Sequence, residues 1–226
     1  MNTEVQSTMI PDGVVTWAEI NLDAIAQNVQ AIKQYVGTQT EIIASVKANA
    51  YGHGLRPVAR AALEAGASRL AVHRIQAAIA VREAGITAPV LLLGHVLPSA
   101  VDLILSHQIT PTLVDWQTAQ LISERADNPV PVHIKVDTGM SRYGLEPERA
   151  LDFVAHVANL PNLVIEGLFT HFAAADELNL DFAHRQWSQF REILAAVNDA
   201  GYEIPLPHVC NSAAVVTMPE AHLAAV

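Results

Sequence analysis

Short apolar runs alternate along this chain with stretches whose apolar residues recur at helical spacing. Residues 42–46, 70–72, 90–93, 112–114, 132–136, 164–169 and 207–209 read as strands. Several are apolar throughout, as parallel strands covered on both faces are. Between them, Leu22, Ile25, Ala26, Val29 and Ile32 share one helical face, with Asn21 placed to cap it and Gly37 to stop it. Pro57 opens a second helix that Gly66 follows. A third pattern runs over 75–84 up to Gly85, Asp115 can cap a fourth over 116–125, and a long one over 180–200 meets Gly201. Residues 14–20 read as a further strand outside this series. Alternation at roughly 20–25 residues per unit predicts an α/β protein, either a (β/α)8 barrel or a doubly wound sheet. Periodicity does not separate the two, and about seven strands leave a barrel incomplete.

Composition narrows the class. The 226 residues are 51% hydrophobic and 16% charged, enough apolar material for one sizeable core. The formal charge of −10, from 23 acids against 13 bases, argues against a nucleic-acid partner, which needs a basic face. Local backbone N–H groups can still hold an anion such as phosphate. Cys210 is the single cysteine, so no internal disulfide forms. Residues 1–15 show no leader pattern, and no apolar stretch reaches the roughly 18 residues of a membrane span. The expectation is a cytoplasmic protein without membrane contact.

Four segments carry candidate chemistry. In 46–54 (VKANAYGHG), Lys47 directly follows a strand in a turn holding Gly52 and Gly54. An amine at a strand end, shielded from water, can form a Schiff base; a surface lysine in a tight turn is the alternative. In 133–144 (HIKVDTGMSRYG), alternation puts Lys135 and Asp137 on one side of a strand, able to pair, with Arg142 just beyond. His171 follows an apolar run, as a structural residue or a participant. In 208–214 (HVCNSAA), Asn211 and Ser212 suit a helix N-cap or a phosphate. No H-E-x-x-H, C-x-x-C, G-x-S-x-G or P-loop pattern occurs, so no metal site or hydrolase is expected.

Taken in order, VKANAYGHG, KVDTGMSRYG, THFAAADE and HVCNSAA resemble the alanine racemases, as do TWAEINLDAIAQN near the start and REAGITAPVLLLG in the middle. The resemblance covers residues 16–226 and implies a TIM (β/α)8-type barrel, with residues 1–15 as an extension. It implies pyridoxal 5'-phosphate bound covalently at Lys47, which would also act as one of two acid–base catalysts. It places Tyr51 and Ser212 at the cofactor phosphate. Arg142 falls near the phenolic oxygen and the substrate carboxylate, and His171 and Asn211 would support the cofactor ring and its neighbours from one layer further out. Lys135 matches a lysine that is carbamylated in a number of members.

The implied reaction interconverts L- and D-alanine, supplying D-alanine for peptidoglycan. The opposite-face base in the family is a tyrosine from a C-terminal β domain of the partner subunit in a homodimer. The sequence shows no such domain and ends before the family's ring-binding arginine and the last barrel strand. The expectation is a piece that is inactive alone, with open strand edges. Racemases of serine or lysine, and a non-catalytic pyridoxal-phosphate barrel protein, are the rivals. His73 and Arg74 depart from the small and acidic residues usual there.

Overall fold

The structure is a computed structural model that describes residue 13 and residues 15–226. Six parallel strands lie side by side in chain order: β1 (Ile43–Ser45), β2 (Arg69–Val72), β3 (Val90–His95), β4 (Thr110–Leu113), β5 (Val130–Lys135) and β6 (Leu163–Phe169). Helices join them: α1 (Leu22–Val36) enters, α2 (Lys47–Tyr51) and α3 (Leu55–Glu64) follow β1, and α4 (Ile75–Glu83) follows β2. Next come α5 (Val101–Ser106), α6 (Trp116–Arg125), α7 (Ala150–Ala158), α8 (Asp181–Asp199) and α9 (Ser212–Thr217). Local chemistry sets the helix ends as expected. Asn21 accepts from the Ala24 N–H at 2.9 Å, Gly37 ends α1, and Asp115 accepts from the Thr118 N–H at 2.7 Å.

The core lies between sheet and helices. Leu70, Val72, Val90, Leu92, Ile134 and Leu168 from the strands meet Ala59, Val81, Ile104, Ile122, Phe153 and Phe190 from the helices. Burial on both faces explains the near-continuous apolar runs. On β5 the alternation is chemical: Val132 and Ile134 join the apolar core, whereas His133 and Lys135, equally buried, occupy the other face. A second, smaller cluster of Val29, Ile42, Ala62 and Ala67 packs α1 onto α3.

Three expectations need correction. Residues 15–20 form no strand, and Val14 lies outside the described residues, as do residues 1–12. The expected seventh strand at 207–209 is reduced to a bridge of His208 to Phe169 and to Ala225. Proline at 205 and 207 removes two ladder donors there, which limits pairing. The strand edges are also not open. The Ile43 N–H donates to Val226 O at 2.8 Å and the Val226 N–H to Glu41 O at 2.9 Å, while the His208 N–H donates to Leu168 O at 3.1 Å. Residues 224–226 thus cover the β1 edge, and the incomplete barrel closes through single bridges. Helices α5 and α7 are additions: Val101, Ile104, Phe153 and Val157 bury one face of each, in segments too short for periodicity to stand out.

Candidate active site

At the C-terminal end of β1 the chain winds the wrong way. Ala48, Asn49, Ala50 and Tyr51 all have φ between 51° and 57°, a left-handed turn built without glycine, and Gly52 continues it at φ 90°. L-residues in this region cost about 1–2 kcal/mol each, so the turn persists only because its surroundings hold it. The Ala50 N–H donates to Val46 O at 2.9 Å, and the Asn49 side chain accepts from the Leu55 N–H at 2.8 Å. The two glycines alone predict an ordinary turn; nothing in the alternation of residues signals the four before them. Lys47, at the foot of the turn, is half-buried, with its Nζ 5.7 Å from the Tyr51 ring centroid.

Lys47 opens onto a cleft of about 880 Å³ at the strand ends. Its far side is made by Lys135, Arg142, Tyr143, Phe169 and His171, brought together by β5, the loop after it, and β6. Its near side comes from His73, Arg74, Gln76 and Ala77, after β2. Lys135 is 2% exposed. Its amine donates to the Tyr143 carbonyl and sits 4.5 Å from the Tyr143 ring centroid. Burial lowers this amine to about 8; Asp137 opposes the effect and Arg142 adds to it.

The expected Lys135–Asp137 ion pair does not form. Asp137 Oδ1 instead accepts from the Gly139 and Ser141 N–H groups at 2.9 and 3.0 Å, because a short carboxylate two residues before a tight loop meets those donors first. The loop so shaped delivers Arg142 to the cleft. His171 reaches it through a different device. Gln186 of α8, 1% exposed, donates to the His171 carbonyl at 3.1 Å and accepts from the Ala173 N–H at 2.9 Å. Burial, then the charges of Arg142, Lys47 and Lys135, hold the His171 imidazole down at about 4. It is therefore neutral near pH 7.

Lys47, Lys135, Arg142 and His171 share one cleft, and the other three candidates lie outside its lining. Tyr51 is 59% exposed with its hydroxyl 3.3 Å from Ser45 Oγ. Asn211 caps α9, accepting from the Ala214 N–H at 2.9 Å, and exposed Ser212 is the first residue of that helix. Residue spacing missed a polar chain that runs from buried His208 and His133 out to half-exposed Glu41. His208 Nε2 lies 2.9 Å from His133 Nδ1, and His133 Nε2 lies 3.1 Å from Glu166. Arg69 joins Glu166 at 2.9 Å to Glu41 at 2.7 Å. These residues come from β2, β5, β6 and their flanks, too far apart in sequence to read as one group. His208 stacks on Phe169 with centroids 4.6 Å apart, which ties this chain to the cleft wall.

The family model for the alanine racemase N-terminal domain matches residues 20–226. This chain belongs to that family. It is 43% identical over 204 residues to the alanine racemase of Halothermothrix orenii, covering 89% of this chain and 54% of that protein. Identity to the Desulforamulus reducens alanine racemase is 44% over 211 residues, with 92% and 57% covered. Among solved structures, alanine racemase of Clostridium difficile 630 superposes with a TM-score of 0.91 at 36% identity over 95% of this chain and 60% of that one. The Bacillus anthracis alanine racemase with bound L-Ala-P gives 0.87 at 37%, covering 93% and 55%. The chain thus spans a little over half the length of the curated relatives it matches.

Proposed function

We propose that this chain is the cofactor-binding barrel of an alanine racemase, with pyridoxal 5'-phosphate held at Lys47. The observation that carries the reading is the convergence of Lys47, Arg142, Lys135 and neutral His171 on one cleft. Its 880 Å³ lies within the range of small-molecule sites. When bound, the cofactor supplies an electron sink that acidifies the substrate Cα–H. Lys47 takes or returns that proton on one face. Arg142 offers a planar fork of donors to a carboxylate, and uncharged His171 packs without adding another positive charge. Tyr51 and Ser212 would hold the phosphate, although neither lines the cleft, and Asn211 would position Ser212 by capping α9. Inversion needs a second acid–base group on the opposite face. We assign it to a partner subunit's C-terminal domain in a homodimer, within the part of the relatives' length that this chain does not span. The product, D-alanine, would serve cytoplasmic peptidoglycan synthesis.

The chain has only three lysines, Lys33, Lys47 and Lys135, so the test is clean. Borohydride reduction in the presence of pyridoxal phosphate, followed by peptide mapping, is expected to mark Lys47, and Lys47→Ala to abolish the mark. Modification at Lys33 or the N-terminus alone would overturn the reading. Residues 1–226 alone are expected to bind cofactor without converting L- to D-alanine.

A further inference from the structure

The cleft is cationic in an acidic protein. Four of the thirteen Lys and Arg residues line it (Lys47, Arg74, Lys135 and Arg142), with His73 and His171, and no Asp or Glu does. None of these four makes an ion pair among the described residues, although Asp137 lies near Lys135. The charges fall into two groups. Lys135 and Arg142 belong to β5 and its loop; Arg74 and His73 follow β2, three strands away in the sheet order, and both are exposed on the cleft side of their own loop. Apolar Ala77, Leu93 and Phe169 contribute to the wall of the same cleft. Arg74 also starts α4, and no side chain caps that helix, so its positive end adds to the same side. The cofactor reading uses Lys47 and Arg142 and leaves Arg74 and His73 without a task.

We propose that Arg74, assisted by His73, is a second anion subsite, so that the cleft takes small dicarboxylates with one carboxylate at Arg142 and the other at Arg74. The position of His73 is built in: a Cβ on Gly94 of β3 would collide with the His73 carbonyl oxygen, so only glycine there lets this loop lie over β3. A single carboxylate satisfies one group of charges and leaves the other facing water. A diacid long enough to reach from Arg142 to Arg74 would satisfy both, each through charge-assisted hydrogen bonds. In a racemase this subsite would admit the side-chain carboxylate of an acidic amino acid or of an acidic inhibitor. That consequence, unlike the binding itself, rests on the reading above.

The test is calorimetric titration of the 226-residue chain at low salt with malonate, succinate, glutarate and propionate. Succinate or glutarate is expected to bind at least about tenfold more tightly than propionate, the gain from one added charge-assisted contact. Arg74→Gln is expected to reduce that preference to twofold or less while leaving propionate binding and the Lys47 label unchanged. Arg142→Gln should weaken all four acids. Equal affinities for propionate and the diacids, or a diacid preference that survives Arg74→Gln, would overturn the subsite. Failure of Lys47 labelling in every variant, with the diacid preference intact, would count against the cofactor reading alone.

Discussion

His133 meets Glu166 at 3.1 Å inside the barrel, and this one contact sets the tautomer of two buried histidines. A carboxylate only accepts, so His133 Nε2 carries the hydrogen and its Nδ1 is left as an acceptor. His208 Nε2, 2.9 Å from that Nδ1, must then donate. Both rings are neutral, because burial lowers both pKa values and outweighs the pull of Glu166 on His133. Burial alone would raise Glu166; hydrogen bonds from His133 and Arg69 and the charge of Arg69 hold it below its usual value.

Acid should therefore loosen the fold early. His133, His171 and His208 have folded values below the ordinary histidine value of 6.5. Above it both folded and unfolded chains are uncharged there and stability is full. As pH falls from about 6.5, the unfolded chain takes up protons that the folded one refuses, at up to roughly 1.4 kcal/mol per pH unit for each group. Glu166 adds a second loss below about 4.5, as pH falls through its depressed folded value. Thermal melts should be flat from pH 8 to 7 and decline from 6.5 to 5. A constant Tm over that lower interval would contradict the neutral pair.

Lys135, lowered to about 8, should behave in the same sense in a more alkaline window. Between 8 and its ordinary 10.5 the unfolded chain keeps a proton that the folded one has lost, so its contribution to stability rises with pH. The neutral amine can also add carbon dioxide, releasing a proton and turning a cation into a carbamate anion beside Arg142. Carbon-13 bicarbonate at pH 8.5 should produce a carbamate resonance that Lys135→Met removes. Its persistence in that variant would place the modification elsewhere.

The left-handed turn makes a reversal of ordinary helix rules. Ala48 is exposed at φ 51°, so Ala48→Gly should be neutral or stabilising by up to about 1 kcal/mol, relief of the turn exceeding the entropy glycine adds to the unfolded chain. The same change at exposed Ala195, within α8, should cost about 1 kcal/mol. Urea denaturation of the two variants compares them directly; equal losses would show that the turn is not strained.

Gly167 leaves room for the His133 ring, with which an added Cβ would collide. Gly167→Ala should therefore destabilise by about 1–3 kcal/mol. It should also disturb the histidine tautomers, read from their nitrogen chemical shifts. Unchanged shifts with unchanged stability would mean the ring has another place to go.

How much was legible beforehand follows from the range of the forces involved. Asn21, Asp115, Gly37 and Gly201 mark helix ends through contacts three or four residues long, and those elements stand where periodicity puts them. Lys47 at a strand end, with the KVDTGMSRYG and THFAAADE segments, was readable because strand ends in this fold face one mouth. The left-handed turn, the use of Asp137 on its own loop, and the pairing of residues 224–226 with 41–43 were decided only by packing. So was the chain from Glu41 through Arg69, Glu166 and His133 to His208. Local patterns encode what neighbours along the chain can satisfy for themselves. A buried charge or hydroxyl must find its partner across the barrel, and that choice exists only once the strands have assembled.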